Sequence, residues 1–233
     1  MKLNLIFIHG AGGNHTVWAF QRKVFKDAIF IDLPGHGVGD EGKRTIEEYV
    51  EYVKGFCDKR GLKNIVMIGH SMGGAITQKF ALMYPEYLKG IVLVCTGARL
   101  RVAPIIFEAI KKSYAEATKF IIELSFSAKA SRELKEKALK QLEKIKPEVL
   151  YGDFEACDKF NVMNQLKNIR VPTLIICGLE DQLTPVKFSE YLRDNIPNSR
   201  LEVIADAGHM VMLEKHEEFN EKIRKFILEL GEG

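Results

Sequence analysis

The sequence predicts an α/β fold in which a doubly wound, mostly parallel sheet carries helices on both faces. Six short apolar runs rich in β-branched residues recur along the 233 residues, at 5–8, 28–32, 65–69, 91–95, 173–177 and 201–204. The runs are continuously apolar rather than alternating, which is typical of parallel strands buried on both faces. Helical patterns separate them, and this alternation favours a doubly wound sheet.

Three helices of the sheet domain can be predicted from local signals. The sequence Thr45-Ile46-Glu47-Glu48 forms a capping box, which predicts a helix from there to about Arg60. Apolar residues at helical spacing predict a second helix over 72–84, ending before Pro85, and a last one over 216–230.

One connection is too long for a single crossover helix. The 77 residues from 96 to 172 separate the fourth and fifth predicted strands and contain helical patterns of their own, over 104–126 (one helix or two), 131–146 and 153–165. We therefore expect a helical cap of residues 98–165, inserted after the fourth strand. Residues 1–97 and 166–233 then form the sheet domain.

The composition excludes several classes of function. The 34 Lys and Arg against 31 Asp and Glu leave a charge of +3, which provides no basic surface for nucleic acid. No apolar run approaches the roughly 20 residues of a membrane span. The four cysteines lie far apart without a C-x-x-C pair, so neither a zinc ribbon nor a redox pair is expected. No metal or other cofactor is expected.

These exclusions leave a cytoplasmic globular protein that acts on a small molecule. A homodimer through the sheet edge or the cap is left open by the sequence. Glu and Lys far outnumber Gln and Asn, which weakly indicates a thermophilic source.

A glycine-rich turn follows the third predicted strand. Residues 69–74 read GHSMGG, a G-x-S-x-G pattern between a strand and a helix. In that context the pattern predicts a sharp turn that lifts Ser71 Oγ above the C-terminal edge of the sheet, with Gly69 and Gly73 leaving room for the neighbouring chain. Ser71 is therefore the candidate nucleophile, and the alternative is a plain strand–helix connection.

A serine hydroxyl needs a base, which a third group must orient. His209 follows the last predicted strand at the same sheet edge as Ser71 and is the candidate base, although a loop histidine can also be merely solvated. Asp181, just past the fifth strand, is the first choice for the orienting carboxylate, and Glu180 is the reserve. Asp206 lies only three residues before His209 and is better suited to turning the loop.

The reaction also needs donors for a developing oxyanion. The backbone N–H groups of Met72, after the candidate nucleophile, and of Ala11, in the loop HGAGG at 9–13, are the candidates. The same loop can be compared with a dinucleotide-binding fingerprint. The third glycine of that fingerprint would fall at His15, so no nicotinamide cofactor is expected.

The motifs together resemble the α/β-hydrolase superfamily along almost the whole chain. The resemblance rests on HGAGG at 9–13, DLPGHG at 32–37, GHSMGG at 69–74, GLEDQLTP at 178–185 and DAGHM at 206–210, in the order of the family. It implies Ser71 as nucleophile, Asp181 and His209 as its partners, Ala11 and Met72 as oxyanion donors, and the cap as a lid.

Two departures from the family pattern are visible. The chain begins almost on the H-G strand, so we expect an α/β-hydrolase fold with six parallel strands and without the usual N-terminal hairpin. Gly39 stands where relatives often carry a serine, which is normally structural.

The triad and the resemblance predict a serine carboxylesterase, similar to monoacylglycerol lipases, that cleaves small or medium acyl esters through an acyl-enzyme. Seven apolar side chains of the cap are candidates for the acyl pocket, and at least half of them are expected to pack in the cap core instead: Phe107, Tyr114, Phe120, Phe126, Phe154, Phe160 and Met163.

Several alternatives remain. A C–C bond hydrolase, a lactonase or a thioesterase would use the same triad, and the first of these would need polar groups such as Arg99, Arg101 and Asn161 to hold a dienol. A non-catalytic ligand-binding module on the same fold is the alternative from a different class, and it would not need His209.

Overall fold

The computed structural model describes residues 2–37 and 41–231, so Gly39 lies outside the described residues. Six strands form one sheet: β1 (Asn4–Ile8), β2 (Ile29–Ile31), β3 (Ile65–His70), β4 (Leu88–Val94), β5 (Thr173–Gly178) and β6 (Ser199–Ile204). Their spatial order is β2-β1-β3-β4-β5-β6, and every neighbouring pair is parallel. The predicted doubly wound sheet of six parallel strands is therefore confirmed.

The strand order reverses at β1, because β2 lies on one side of it and β3 on the other. In parallel sheets such a reversal opens a crevice at the carboxyl ends of the strands, where ligands bind. The register pairs Ile8 with Gly69 and His70 with Val94. The chain segments that leave β1, β3 and β4 therefore start from neighbouring points of one sheet edge.

Ten α-helices accompany the strands in the described part of the chain: α1 (Gln21–Val24), α2 (Ile46–Lys59), α3 (Met72–Met83), α4 (Pro104–Lys112), α5 (Tyr114–Ser125), α6 (Arg132–Leu142), α7 (Pro147–Lys159), α8 (Val186–Asn195), α9 (Val211–Glu214) and α10 (His216–Gly231). Helices α2, α3 and α8 contribute to one core cluster, and α9 and α10 to another. Ile6 and Ile8 of β1 belong to the first cluster and Phe7 belongs to the second, so the sheet is buried on both faces. No helix among the described residues combines the length and the apolarity that crossing a bilayer requires.

Helices α4–α7 lie between β4 and β5 in the chain and share a third cluster of buried side chains. The pattern at 104–126 forms two helices, since Ser113 caps the start of α5. The helix predicted over 153–165 is present as α7, but its bounds are wrong: α7 runs from Pro147 to Lys159, and residues 163–168 form a short 3₁₀ helix. Proline fits the first helical position because its missing N–H would have no partner there.

Candidate active site

Ser71 alone makes the turn from β3 to α3. Its backbone lies at φ 53° and ψ −115°, in the left-handed half of conformational space that residues with a Cβ rarely occupy. Two hydrogen bonds hold it there, from its own N–H to the Val94 carbonyl at 2.9 Å and from the Thr96 hydroxyl to its carbonyl at 2.8 Å. This backbone conformation is energetically unfavourable and persists because the surrounding sheet holds it. Such strained residues cluster at functional sites.

The glycines on either side of Ser71 are required by close approach of the backbone. A Cβ on Gly69 would lie 2.1 Å from the Gly73 carbonyl oxygen, and one on Gly73 would lie 2.3 Å from the Ile8 carbonyl oxygen. Both distances are shorter than any non-bonded contact allows, so the turn cannot form with larger residues at these positions.

His209 and Asp181 form a buried pair in the loops after β6 and β5. The Nδ1 atom of His209 donates to Asp181 Oδ2 at 2.8 Å. The same carboxylate accepts from the backbone N–H groups of Leu183 and Thr184, both at 2.9 Å, and from the Thr184 hydroxyl at 2.7 Å. Burial alone would raise the pKa of Asp181, but His209 and these donors outweigh it and lower that pKa. The pairing leaves Nε2 as the ring nitrogen of His209 that can act on a substrate.

His70 joins the Ser71 turn to the His209 loop. Its Nε2 atom donates to the His209 carbonyl at 3.0 Å, and the two imidazole rings are 4.7 Å apart. Burial, together with the charge of His209, lowers the pKa of His70 to about 3, so its ring is neutral. Within the described residues no hydrogen bond joins Ser71 Oγ to His209. In free enzymes this contact is often long and tightens only with substrate.

The loop after β1 lies directly against the Ser71 turn. A Cβ on Gly10 would be 3.0 Å from Ser71 Cβ. The Gly10 carbonyl accepts from the Gly13 N–H at 3.1 Å and from His9 Nδ1 at 2.8 Å. Because the peptide is planar and trans, the Ala11 N–H points the opposite way from that carbonyl.

Neither Ala11 nor Met72 has a recorded acceptor for its backbone N–H within residues 2–37 and 41–231. The two groups flank the Ser71 turn, one in the loop after β1 and one at the start of α3. Free N–H donors in this position are the chemical requirement for stabilising an oxyanion.

The other acidic candidates lie elsewhere. The Glu180 carboxylate is 3.4 Å from the Ala128 N–H, and Asp206 binds Lys129 at 2.6 Å from an exposed position. Asp206 also has a positive φ of 54°, which matches its expected part in turning the loop. In the described structure only Asp181 pairs with His209.

The seven candidate pocket side chains lie in different parts of the packing. Those in the cluster of α4–α7 are Tyr114, Phe126 and Phe154; those against the core on the α3 side are Phe160 and Met163; Phe107 packs edge-on to Tyr151, and Phe120 is 44% exposed. Packing therefore accounts for most of them, and an exposed Phe120 does not line an enclosed acyl site.

Cys95 lies beside the pair of His209 and Asp181, with one atom of each residue within 4.8 Å of the others. The spacing alone would suit a metal ion. Burial, with the nearby Asp181 charge, raises the pKa of the Cys95 thiol well above its usual range, and metals bind the thiolate. A protonated Cys95 is a poor metal ligand, so these three residues do not fit a metal centre.

Sequence reasoning missed Thr184 and a second buried histidine–carboxylate pair, His36 with Asp153. A hydroxyl three residues after an aspartate in a turn is a recognisable local signal for Thr184. Asp153 is the one acid on the buried stripe of α7, which could have marked it.

Comparisons with known proteins agree with this geometry. A model of the alpha/beta hydrolase family matches residues 5–222. The structure of a thermophilic esterase is 41% identical with a TM-score of 0.87, over 98% of this chain and 90% of that one.

Two curated relatives are more distant. The dihydrolipoyllysine-residue acetyltransferase component of the acetoin cleaving system of Cupriavidus necator is 27% identical over 96% of this chain, which spans 63% of that protein. A 2-hydroxy-6-oxononadienedioate/2-hydroxy-6-oxononatrienedioate hydrolase of Burkholderia vietnamiensis is 29% identical, over 96% of this chain and 86% of its own. By fold, motif order and the extent of these matches, the chain belongs to the alpha/beta hydrolase family.

Proposed function

We propose that the protein is a serine carboxylesterase that cleaves small or medium acyl esters through an acyl-enzyme. The observation that carries the proposal is the pairing of His209 Nδ1 with the buried Asp181, which leaves Nε2 free at the sheet edge where Ser71 stands in a strained turn. The similarity to a thermophilic esterase over nearly the full chain supports the same reaction class.

The proposed reaction has two halves. Ser71 Oγ attacks the ester carbonyl while His209 Nε2 takes its proton, and the Ala11 and Met72 N–H groups stabilise the oxyanion. The bond between the acyl carbon and the ester oxygen breaks, and the alcohol leaves with the proton from His209. Water then gives a proton to His209 and attacks the acyl carbon, which releases the acid and returns the proton to Ser71.

Residues 98–165 are proposed to act as a cap over this site. Two contacts support the proposal: the Met210 N–H donates to the Ser125 carbonyl at 3.1 Å, and a Cβ on Gly208 would lie 2.7 Å from the Ser127 nitrogen. The end of α5 therefore rests directly on the loop that carries His209.

A C–C bond hydrolase is less well supported, although several relatives are named as hydrolases of 2-hydroxy-6-oxo dienoates. Arg101 pairs with Asp158 at 3.2 Å while its side chain stays 65% exposed. The side-chain oxygen Oδ1 of Asn161 accepts from the Met163 N–H at 3.1 Å. Both polar groups are thus engaged at the surface rather than offered to a dienol substrate.

The test is hydrolysis of p-nitrophenyl butyrate by the parent and by Ser71→Ala. We expect kcat/KM of the variant to fall by at least about 10³-fold, because the nucleophile is removed. Ser131→Ala is the matched control, since Ser131 only caps the start of α6, and it should keep the parent rate. A Ser71→Ala protein with parent activity would refute the proposal.

A substrate panel separates the remaining reaction classes. Esters of increasing acyl length, a thioester, a lactone and a dienol ketone are compared by kcat/KM. We expect the esters to rank first. A parent protein that binds these compounds and hydrolyses none of them would identify a binding module instead.

A further inference from the structure

A second buried acidic group lies where α7 meets the loops that follow β1 and β2. Asp153, on α7, is fully buried and accepts three hydrogen bonds. They come from the Gly12 N–H at 2.8 Å, from His36 Nε2 at 2.7 Å and from the Tyr49 hydroxyl at 2.5 Å. Gly12 and His36 share Oδ2, and Tyr49 takes Oδ1. We call these four residues the Asp153 cluster.

The imidazole of His36 has no free nitrogen. Its Nε2 faces Asp153, and its Nδ1 lies 2.9 Å from the Pro34 carbonyl, so both contacts are satisfied only when both nitrogens carry a proton. Burial lowers the pKa of His36, but the charge and hydrogen bond of Asp153 outweigh it and the pKa is raised. The neighbouring His9 ring, 4.8 Å away, is held neutral because burial and the charge of His36 lower its pKa. The Asp153 cluster therefore contains a buried ion pair, His36 with Asp153, whose hydrogen bonds are satisfied.

Stability alone does not account for a charge at this position. Buried ion pairs often contribute no more than well-packed apolar residues of similar size. The neighbours of Asp153 on the buried stripe of α7 are apolar: Val149, Leu150, Ala156 and Cys157. A leucine at 153 could continue that stripe, but it could not accept the Gly12 N–H.

Gly12 is the residue that follows the proposed oxyanion donor Ala11. Its backbone is at φ +63°, and a Cβ there would lie 2.5 Å from Leu142 Cδ1 and 2.6 Å from Leu150 Cδ1. The Gly12 backbone is thus pressed against α6 and α7, and its N–H is held by the bond to Asp153. The peptide on the other side of Ala11 is fixed by the two bonds to the Gly10 carbonyl.

We propose that Asp153 is a positioning residue for the hydrolytic reaction: from the cap, it orients the Ala11–Gly12 peptide and thereby aims the Ala11 N–H at the oxyanion. This inference rests on the proposed function. It makes the cap part of the catalytic apparatus, because a cap side chain holds the peptide that follows one of the two oxyanion donors.

The test compares kcat and KM for p-nitrophenyl butyrate in Asp153→Ala, which has no acceptor, and Asp153→Asn, whose side-chain carbonyl can still accept from Gly12. We expect kcat of Asp153→Ala to fall about 10- to 100-fold with KM changed less than about threefold, because a misaimed donor affects the transition state more than binding. Asp153→Asn should recover kcat to within about fivefold of the parent.

Two control variants separate positioning from stability. Tyr49→Phe removes the bond to Oδ1 and leaves Oδ2 for Gly12, so its thermal midpoint should fall while kcat stays within about twofold of the parent. Glu155→Gln makes the same carboxylate-to-amide change on α7, where Glu155 pairs with Arg44 at the surface, and should match the parent in both measurements.

The proposal is overturned if folded Asp153→Ala keeps the parent kcat. It is also overturned if the kcat losses of Asp153→Ala and Tyr49→Phe simply follow their losses in thermal midpoint. Should Asp153→Ala not fold, the double variant His36→Leu/Asp153→Leu decides, because removing both charges avoids an unpaired one. It should show the same kcat loss, and parent kcat would again refute the proposal.

Different results would refute the proposed function and the proposed role of Asp153. If Ser71→Ala remains active, the proposed function itself is wrong. If Ser71→Ala is inactive while Asp153→Ala is normal, only the positioning role is wrong.

Discussion

Two buried histidine–aspartate pairs of nearly equal length lie in the part of the chain that the structure describes. His209 lies 2.8 Å from Asp181, and His36 lies 2.7 Å from Asp153. The first pair connects the loops after β5 and β6, whereas the second connects the loop after β2 to α7. They differ in the ring nitrogen that faces away from the carboxylate: it is free in His209, and in His36 it donates to the Pro34 carbonyl.

This difference indicates which of the two pairs can transfer a proton and which can only hold other groups in place. Proton transfer needs a nitrogen that can reach the substrate, and only His209 has one. In His36 both protons are committed, so the ring can only hold other groups in place. In our proposals the same two residue types thus serve the reaction in one pair and the geometry of the oxyanion loop in the other.

The largest expected effect is that of His209→Gln. We expect kcat/KM to fall about 10³- to 10⁴-fold, because Ser71 loses its base. Asp181 keeps its bonds to Leu183 and Thr184, so the thermal midpoint should change little. Ester hydrolysis and thermal unfolding measure the two quantities, with His216→Gln as a histidine control outside the site. Substantial residual activity would mean that another base serves Ser71.

The change His36→Gln should reverse this pattern. We expect it to lower the free energy of unfolding by about 2–4 kcal/mol, because it breaks a buried ion pair, and to lower kcat by less than about tenfold, because the Gly12 bond to Asp153 remains. Urea unfolding and steady-state kinetics check both values. A catalytic loss as large as that of His209→Gln would remove the distinction between the pairs.

The smallest expected effect is on the pH dependence of folding stability, to which the two pairs contribute with opposite signs. The pKa of His36 is raised in the folded protein, so its contribution to stability is present below the ordinary value of 6.5 and is lost as pH rises through the folded-state pKa. The pKa of Asp181 is lowered, so its contribution is present above 3.8 and is lost as pH falls through its folded-state pKa.

The difference in unfolding free energy between the parent and His36→Gln tests this sign. It should shrink between about pH 5 and about pH 9. The groups that face His36 are Asp153 and Tyr49, both through the carboxylate contact, and the ring of His9. A difference that grows with pH would contradict the raised pKa of His36.

The strands and the Ser71 turn could be predicted from the sequence because their signals are local. Continuous β-branched runs mark buried parallel strands, and Gly69 and Gly73 mark the close approach around the turn. The start of α7 was not predicted, although Pro147 fits the first turn of a helix as well as it fits the residue after a helix end.

The Asp153 cluster could not be predicted in the same way. His36 and Asp153 are 117 residues apart, and their contact exists only once α7 packs against the sheet domain. Likewise, Phe120 and Phe160 have the same residue type in the same insertion, and only packing decides that one is exposed and the other buried.

Labelling with a fluorophosphonate tests the central claim most directly, since this reagent reacts with an activated serine and stays attached. Peptide mass spectrometry of the parent should find the adduct on Ser71, and His209→Gln should form it far more slowly. An unlabelled Ser71 in the folded parent, or equal labelling of the parent and His209→Gln, would contradict the assignment of Ser71 and His209 as nucleophile and base.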